Sequence, residues 1–411
     1  MTEFFTVVTP DDAKVALFEH VGPLGESERL PTQDTLDRVT AGEVRSPQAL
    51  PAFPRSTMDG YAVQAADTFG ASDALPAYLN VVGEVRMGEA AEVEVGKGEA
   101  AIVHTGGMMP SGADAVVIVE NTQPIGDGDE IEVRRSVAVG QHVLQVGEDI
   151  ETGDVIIPSG YRLRPQDVGG LLALGITEVE VARQPRVAIF ATGDEVVPPH
   201  VSTGPGQIRD INSYTLAGQT VRAGGVPLLQ GILPDDFDTL MARTREALAV
   251  ADVLVVSAGS SVSVRDMTAR VFESLGEPGV LVHGVAVKPG HPTILGVAAG
   301  KPLIGLPGNP VSAMIVYDLF GVPTLYRLQG ATSVPRRGVV WAKLARNVAS
   351  ESGREDYVAA RLVERDGELW AEPVFGKSNL IFTLVNADGV LKVPLNANGL
   401  EAGVLVEVRL F

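Results

Sequence analysis

Three uninterrupted apolar runs in the middle of the chain, at 187–191, 253–256 and 303–306, each end in a turn of small or polar residues. Runs this short, without polar alternation, predict strands buried on both faces of a parallel sheet. Between and around them the pattern lengthens to a helical period. Helices are expected at 213–223, closed by Gly224 and Gly225, and at 237–250, introduced by Asp235 and Asp236 as cap and first turn. Others are expected at 267–275 and from Pro310 onward, with one more strand near 227–233. Strand alternating with helix predicts a doubly wound α/β domain over 183–330.

The flanking segments have a different texture. Residues 51–140 show short alternating segments broken by glycine, such as 91–95, and predict a β-rich module. Residues 1–50 and 141–182 predict a mixed helical and strand domain. It contains a helix within 26–49, where Leu30, Leu36 and Val39 have roughly helical spacing. A second helix is expected at 164–174, with Pro165 in its first turn and Gly175 as its stop. Residues 331–411 predict a C-terminal, barrel-like β domain, in which 357–365 and 368–374 join through an Asp366-Gly367 hairpin turn. The fold class expected is multidomain α/β plus β.

Composition narrows the function classes. A chain of 411 residues with 45% apolar and 20% charged residues is globular and long enough for several domains. It has no cysteine, which excludes disulfides, thiolate metal sites and cysteine nucleophiles. No apolar stretch approaches the roughly 18–20 residues of a membrane span. The N-terminus, with Asp11, Asp12 and Glu19, lacks a secretory pattern, so a cytoplasmic location is expected. A formal charge of −20 argues against nucleic acid as a partner. An anion site on such a chain needs helix starts and a few placed cations.

Ligands of open α/β sheets bind beyond the carboxyl ends of the strands, and the turns there carry the candidate chemistry. The first turn holds Thr192, Gly193, Asp194 and Glu195, two carboxylates directly after a buried strand. With Asp235 and Asp266 they form an oxygen-rich set suited to a hard cation such as Mg²⁺ and a phosphate ester. Asp210 lies near the same edge, and each acid taken singly also reads as a helix cap. The second turn is hydroxyl-rich and includes Ser257, Gly259 and Ser260. The third holds Pro307, Gly308, Asn309, Pro310 and Ser312. Here Asn309 can cap a helix, Pro310 can occupy its first position, and the free amides can meet a phosphate. Lys288, in a proline–glycine turn with His291, is a candidate contact to a phosphoryl or oxometalate oxygen. In the β-rich module, Asp59-Gly60 and the turn at Thr105, Gly106 and Gly107 stand out, each also readable as a plain hairpin turn. No zinc-ligand spacing, nucleophile elbow or dinucleotide fingerprint is found.

Taken together, these segments resemble the molybdopterin molybdenumtransferase family, to which the E domain of gephyrin also belongs. The matching pieces are Ser56-Thr-Met-Asp-Gly-Tyr-Ala62, His104-Thr-Gly106, Gly112-Ala-Asp-Ala-Val-Val117 and Gly147-Glu-Asp-Ile150. Further along come Ala191-Thr-Gly-Asp-Glu-Val196, Val287-Lys-Pro-Gly290 and Gly305-Leu-Pro-Gly-Asn-Pro-Val-Ser312. They occur in the family's order over about 50–400. The resemblance implies an elongated homodimer whose α/β domain faces the partner's β-rich module. It implies insertion of molybdate (or tungstate) into adenylylated molybdopterin with a divalent cation and release of AMP. Molybdopterin adenylyltransferase and apo-molybdoenzymes are the protein partners it suggests. Carried over by motif, the catalytic residues are Asp59, Thr105, Asp149, Glu195, Asp235, Asp266 and Lys288, with Glu195, Asp235 and Asp266 on the metal. Substrate binding falls to the three turns above, to His291, and to Ser378 of the C-terminal domain. Glu195, Asp235, Asp266, Lys288 and Gly308 are expected to gather at one rim.

The chain departs from the family pattern in several places. A glycine–serine loop is replaced by Ala258-Gly-Ser-Ser-Val-Ser-Val264. Two customary lysines are Gly284 and His291, and a customary arginine is Ala359. Arg265, Arg354 and Arg361 are the candidates to restore the charge. The changes point to altered oxoanion selectivity, toward tungstate. They also motivate the alternative of a non-catalytic molybdopterin or molybdenum cofactor carrier with the same fold.

Overall fold

The computed structural model describes residues 8–258, 262–335 and 338–411, together with the backbone but not the side chains of 262–264. The chain forms two compact units. One gathers the N-terminal segment to Gly42, Ser159–Val168 and Thr177–Phe411; the other comprises Glu43–Pro158 and Gly169–Ile176.

In the first unit the three apolar runs become neighbouring parallel strands. In chain order the elements are β1 (Arg186–Thr192), α1 (Asn212–Arg222), β2 (Val226–Leu233), α2 (Phe237–Leu248), β3 (Val253–Ala258) and α3 (Val262–Leu275). Then follow β4 (Pro278–His283), β5 (Ile294–Ala298), β6 (Lys301–Pro307) and α4 (Pro310–Val316). The sheet order is β2-β1-β3-β6-β5-β4. The first four strands are parallel, while β5 runs against both β6 and β4, an antiparallel margin that the apolar pattern does not announce. Two-sided burial is visible in the packing of β1. Val187 and Ile189 join a core with Leu216, Val255 and Ile304, whereas Ala188 and Phe190 join another with Leu240, Leu254 and Phe272. Each large side chain so buried contributes about 1.5–3 kcal/mol, so the strands that carry the site turns are held rigidly.

The C-terminal domain belongs to the same unit. Its strands are β7 (Val339–Leu344), β8 (Glu355–Arg365), β9 (Glu368–Pro373), β10 (Gly389–Val393) and β11 (Leu405–Leu410). They pair in the order β8-β9-β7-β11-β10, and β10 pairs with β8 again, which closes a five-stranded barrel. Leu344, Ala360, Ala371, Leu391, Val393 and Val408 fill its interior. The β8–β9 turn has positive φ at both Asp366 (50°) and Gly367 (76°), as a two-residue hairpin needs. A short strand, Val287–Lys288, runs parallel to the start of β8 and pairs Lys288 with Asp356.

The helix expected within 26–49 is not formed. Ser27–Pro31 is instead a strand paired antiparallel with Glu178–Ala182, followed by a short 3-10 turn at Thr32–Asp34. Pro31 breaks the pattern, and the three spaced residues share no face: Val39 is fully buried while Leu36 is 49% exposed. The N-terminal helix is Pro10–Phe18, capped by the Thr9 hydroxyl accepting from the Asp12 amide.

A bidentate ion pair anchors the edge opposite the site. Arg183 donates to both oxygens of Asp252 (2.9 and 3.0 Å), and the Arg186 amide adds a third bond at 2.7 Å. Burial pushes the Asp252 carboxyl up, but the bonds from Arg183 and Arg186 outweigh it and hold the carboxyl below the usual carboxylate range. The stabilisation is therefore present above the unfolded value near 3.9 and is lost as pH falls through the lower folded value. Asp252→Ala is expected to cost about 2–3 kcal/mol at neutral pH, less than for a fully buried pair, with the loss shrinking in acid. Urea melts at the two pH values check this, and equal losses would refute it.

The second unit is built on a six-stranded sheet. Its strand order is Ala115–Ile118, Gly60–Val63, Glu99–Val103, Ala77–Glu84, Glu130–Val133 and Thr122–Ile125. The alternating segment 91–95 contributes only an isolated bridge, Glu94 with Ser111. A helix at Pro165–Ala173 ends before Gly175, whose φ is +75°.

Candidate functional site

Strand order reverses between β1 and β3, because β2 lies on one side of β1 and the chain crosses over to β3 on the other. The carboxyl ends there form the crevice at which open α/β sheets take ligands. Thr192 ends β1 and is 2% exposed. Gly193 follows with φ +139°, and a Cβ there would sit 2.8 Å from Glu195 Oε2, so the turn requires glycine. Asp194, Glu195 and Asp235 crowd together. Partial desolvation, then the charges of Asp194 and Glu195, raise the Asp235 carboxyl above its ordinary range. Among the described residues no cation pairs with any of the three.

Asp266 is exposed on α3. Among the described residues, no three carboxylates or imidazoles stand close enough to hold a metal ion by themselves. The trio Glu195, Asp235 and Asp266 expected from the sequence is therefore not a preformed cage. Gly259 and Ser260, expected in substrate binding, lie outside the described residues.

A residue that sequence reasoning missed connects the turns. Asn212, the first residue of α1, donates through Nδ2 to Ser257 Oγ (2.7 Å) at the end of β3 and to the Gly308 carbonyl (2.9 Å) after β6. Its Oδ1, the Ser213 Oγ and the Thr192 Oγ1 are buried without partners. Asp210 is a structural acid: it is 6% exposed and accepts from the Ser213 amide at 3.0 Å. Asp236 is the cap of α2, accepting from the Thr239 amide at 2.8 Å.

Beyond β6 lies a cleft of about 990 Å³ between the sheet domain and the barrel. Lys288, His291, Pro307, Asn309, Ser312 and Ser378 line it, all expected from the sequence. Arg354, Asp356 and Lys377 line it too. The charged lining comprises the three cations Lys288, Arg354 and Lys377 and two acids, Glu351 and Asp356. This is a local positive excess on a strongly acidic chain. His291 donates from Nδ1 to the Val285 carbonyl (2.9 Å), which fixes the ring.

The α4 start differs from expectation. Pro310 does occupy the first helical position, but the Asn309 side chain makes no cap. Its Nδ2 donates to Ser378 Oγ (2.9 Å), and the Val311 amide donates to the Ser378 carbonyl (3.1 Å). The barrel's Ser378 thus satisfies a helix-start amide that was expected to face a phosphate. The anticipated single rim is accordingly two neighbouring parts, the carboxylate turns at β1–β2 and the cationic cleft beyond β6, with Asn212 between them.

In the second unit, Asp59 Oδ1 accepts from the Thr105 amide at 2.8 Å. His104 lies between two acids, with Nε2 2.7 Å from Glu84 Oε1 and Nδ1 3.9 Å from Asp59 Oδ1. Asp59, Thr105 and Asp149 are all exposed. Gly60 is dictated by sheet contact, since a Cβ would lie 2.0 Å from the Val117 carbonyl oxygen.

Three family models cover most of the chain. The MoeA N-terminal region (domain I and II) matches residues 8–175, a "probable molybdopterin binding domain" matches 188–327, and the MoeA C-terminal region (domain IV) matches 341–411. A molybdopterin molybdenumtransferase of Bacillus subtilis is 32% identical over 98% of this chain and 94% of its own. One from Haemophilus influenzae is 30% identical over 98% and 99%. A crystal structure described as a molybdopterin biosynthesis moeA protein, from Pyrococcus horikoshii, superposes with a TM-score of 0.86 at 30% identity. It covers 99% of this chain and 100% of its own. Among the described residues, no helix is long and apolar enough to cross a membrane.

Proposed function

The chain belongs to the molybdopterin molybdenumtransferase family, and from that premise we propose that it transfers molybdenum, or tungsten, from the oxoanion into adenylylated molybdopterin and releases AMP. The observation that carries the reading is the pairing of two environments on one sheet edge. Uncompensated carboxylates follow β1 and β2, and a cleft with excess positive charge follows β6.

Asp194, Glu195 and Asp235 offer carboxylates to a hard divalent cation but do not by themselves enclose one. They present carboxylate oxygens without a cationic partner among the described residues, and their repulsion already raises Asp235. Such a donor set, short of a full cage, suits Mg²⁺ completed by water and substrate phosphate. Glu195 and Asp235 would hold it, with Asp266 as the third acid. A bound Mg²⁺ supplies charge neutralisation at the phosphoanhydride. The chain's own residues do the rest. Asn212 ties the β3 turn to the β6 turn, while Lys288 and the other cleft cations offset oxoanion charge. The dithiolene sulfurs belong to the substrate, so a chain without cysteine is chemically sufficient. Asp59, Thr105 and Asp149 belong to the same machinery in this reading. So do a cytoplasmic homodimer, an adenylyltransferase upstream and an apo-molybdoenzyme downstream.

The test is AMP release from adenylylated molybdopterin with Mg²⁺ and molybdate or tungstate. Wild type is expected to turn over, and Glu195→Ala and Asp59→Ala are each expected to lose roughly 10²-fold or more, the scale of removing one electrostatic stabiliser. A wild-type protein that binds the nucleotide but releases no AMP with either oxoanion would reduce it to a carrier.

A further inference from the structure

Arg55 stands in the second unit without a counter-charge. With Ser56 it forms a two-residue strand paired antiparallel with Val143 and Leu144. On its other side the strand is tied to the Thr105 turn. Arg55 bridges Met108, the Ser56 amide donates to the Gly107 carbonyl (2.9 Å), and the Gly106 amide donates to the Ser56 carbonyl (2.8 Å). The ribbon that carries Arg55 therefore also seats the turn in which the Thr105 amide meets Asp59. Arg55 Cζ lies 4.6 Å from the centre of the Phe53 ring, a cation–π distance. Its Nε is buried with no acceptor. Among the described residues, neither a carboxylate nor a carbonyl meets its Nη groups. Arg164 and Arg365 are stacked on aromatic rings too, but each is paired with an acid, Asp167 and Glu372 respectively. Arg38 also has a buried Nε without an acceptor, yet its Nη2 meets Glu28 at 2.6 Å and the Ala182 carbonyl at 2.8 Å.

We propose that Arg55, braced by Phe53, is a phosphate-binding residue of the second unit, and that its ligand is a phosphate of the nucleotide substrate. A guanidinium cannot shed its proton, so its charge has to be met by an anion or by water. With 52 acids to 32 bases, the chain has carboxylates to spare for its arginines. Arg55 is not given one among the described residues. An orphaned buried donor costs about 1–3 kcal/mol, and a local rule broken at such a cost is the mark of a functional position. The residue is only half-buried, and its Nη end opens to solvent. Stacking on Phe53 fixes the plane of the fork, so two parallel N–H groups are presented together. That arrangement suits two oxygens of one phosphate, which a lysine cannot match.

The inference rests on the transfer reading, which supplies the ligand, and its test separates the two. Adenylylated molybdopterin is titrated calorimetrically into the full-length protein, and AMP release is measured in parallel. Arg55→Ala is expected to raise both Kd and KM by about tenfold or more, the scale of lost charge-assisted hydrogen bonds. The kcat at saturation should stay nearly unchanged. Arg55→Lys keeps the charge without the fork and should lie between. Arg55→Met keeps a side chain against the Phe53 ring and removes the charge. It should bind as weakly as Arg55→Ala while melting with wild type. Arg134→Ala, which removes a cation of the same unit that sits 3.3 Å from Glu132, should change nothing. Wild-type affinity should fall as salt rises, and Arg55→Met should lose part of that dependence, which a merely structural role would not move. Arg55→Met binding as wild type refutes the proposal and leaves the transfer reading standing. Weak binding seen only in variants whose melts show unfolding refutes it as well. A wild type that binds the nucleotide but releases no AMP overturns the transfer reading alone, and Arg55 is then judged on Kd. A wild type that does not bind the nucleotide overturns both.

Discussion

Asn212→Asp is expected to cut turnover about a thousandfold while exchanging only one heavy atom. The native amide donates to the Ser257 hydroxyl and the Gly308 carbonyl from a position 8% exposed. A carboxylate cannot donate to a carbonyl, so the variant sets two acceptors against each other and buries a charge. Leaving such groups unpaired costs about 1–3 kcal/mol each, more when charged, and the loss falls on the bond that holds β3's turn against β6's. A drop in kcat/KM of about 10³-fold, or roughly 4 kcal/mol, is expected in the AMP-release assay. The melting temperature should fall too. Asn212→Ser, which keeps a donor but loses reach, should lie between. Wild-type turnover in Asn212→Asp would show that the turns need no such tie.

Gly60→Ala is expected to produce the largest loss of stability from a single methyl group. Its Cβ would meet the Val117 carbonyl oxygen at 2.0 Å and Ile118 Cα at 3.0 Å, both backbone atoms in the neighbouring strand. No rotamer relieves a Cβ clash, so Gly60–Val63 and Ala115–Ile118 must separate. The cost is expected at about 3 kcal/mol, the upper end for overpacking, read as an early transition in the melt of the second unit. Asp59 is the adjacent residue and anchors Thr105, so activity should fall with it. A variant melting with wild type would mean that the strands have slack the packing does not suggest.

How much of this was legible in the sequence depended on the kind of signal. The runs in β1, β3 and β6 could be read directly, because only doubly buried strands carry such unbroken apolar stretches, and their turns followed. The Asp366-Gly367 hairpin was equally plain, since two successive positive φ values demand that chemistry. The supposed helix within 26–49 failed because three apolar residues in helical spacing outweighed Pro31, whose strand partner lies some 150 residues away. The true helix at Pro10–Phe18 had a readable start: Thr9 as cap, proline first, and two acids in the first turn. Asn212 could not be assigned from its local pattern, as its role comes from what other strands bring beside it. Asn309 shows the reverse: its local pattern said cap, and Ser378 from the barrel took its donor instead.

The rung between Val287–Lys288 and β8 also sets how the cleft can be entered. Main-chain hydrogen bonding joins sheet domain and barrel beside the cleft, at Lys288 and one residue beyond Arg354. Swinging the barrel aside to admit a bulky guest would tear that seam and scatter the charges needed to greet it. In the reading proposed above, a small oxoanion would therefore arrive through the standing mouth and not through an opening lid.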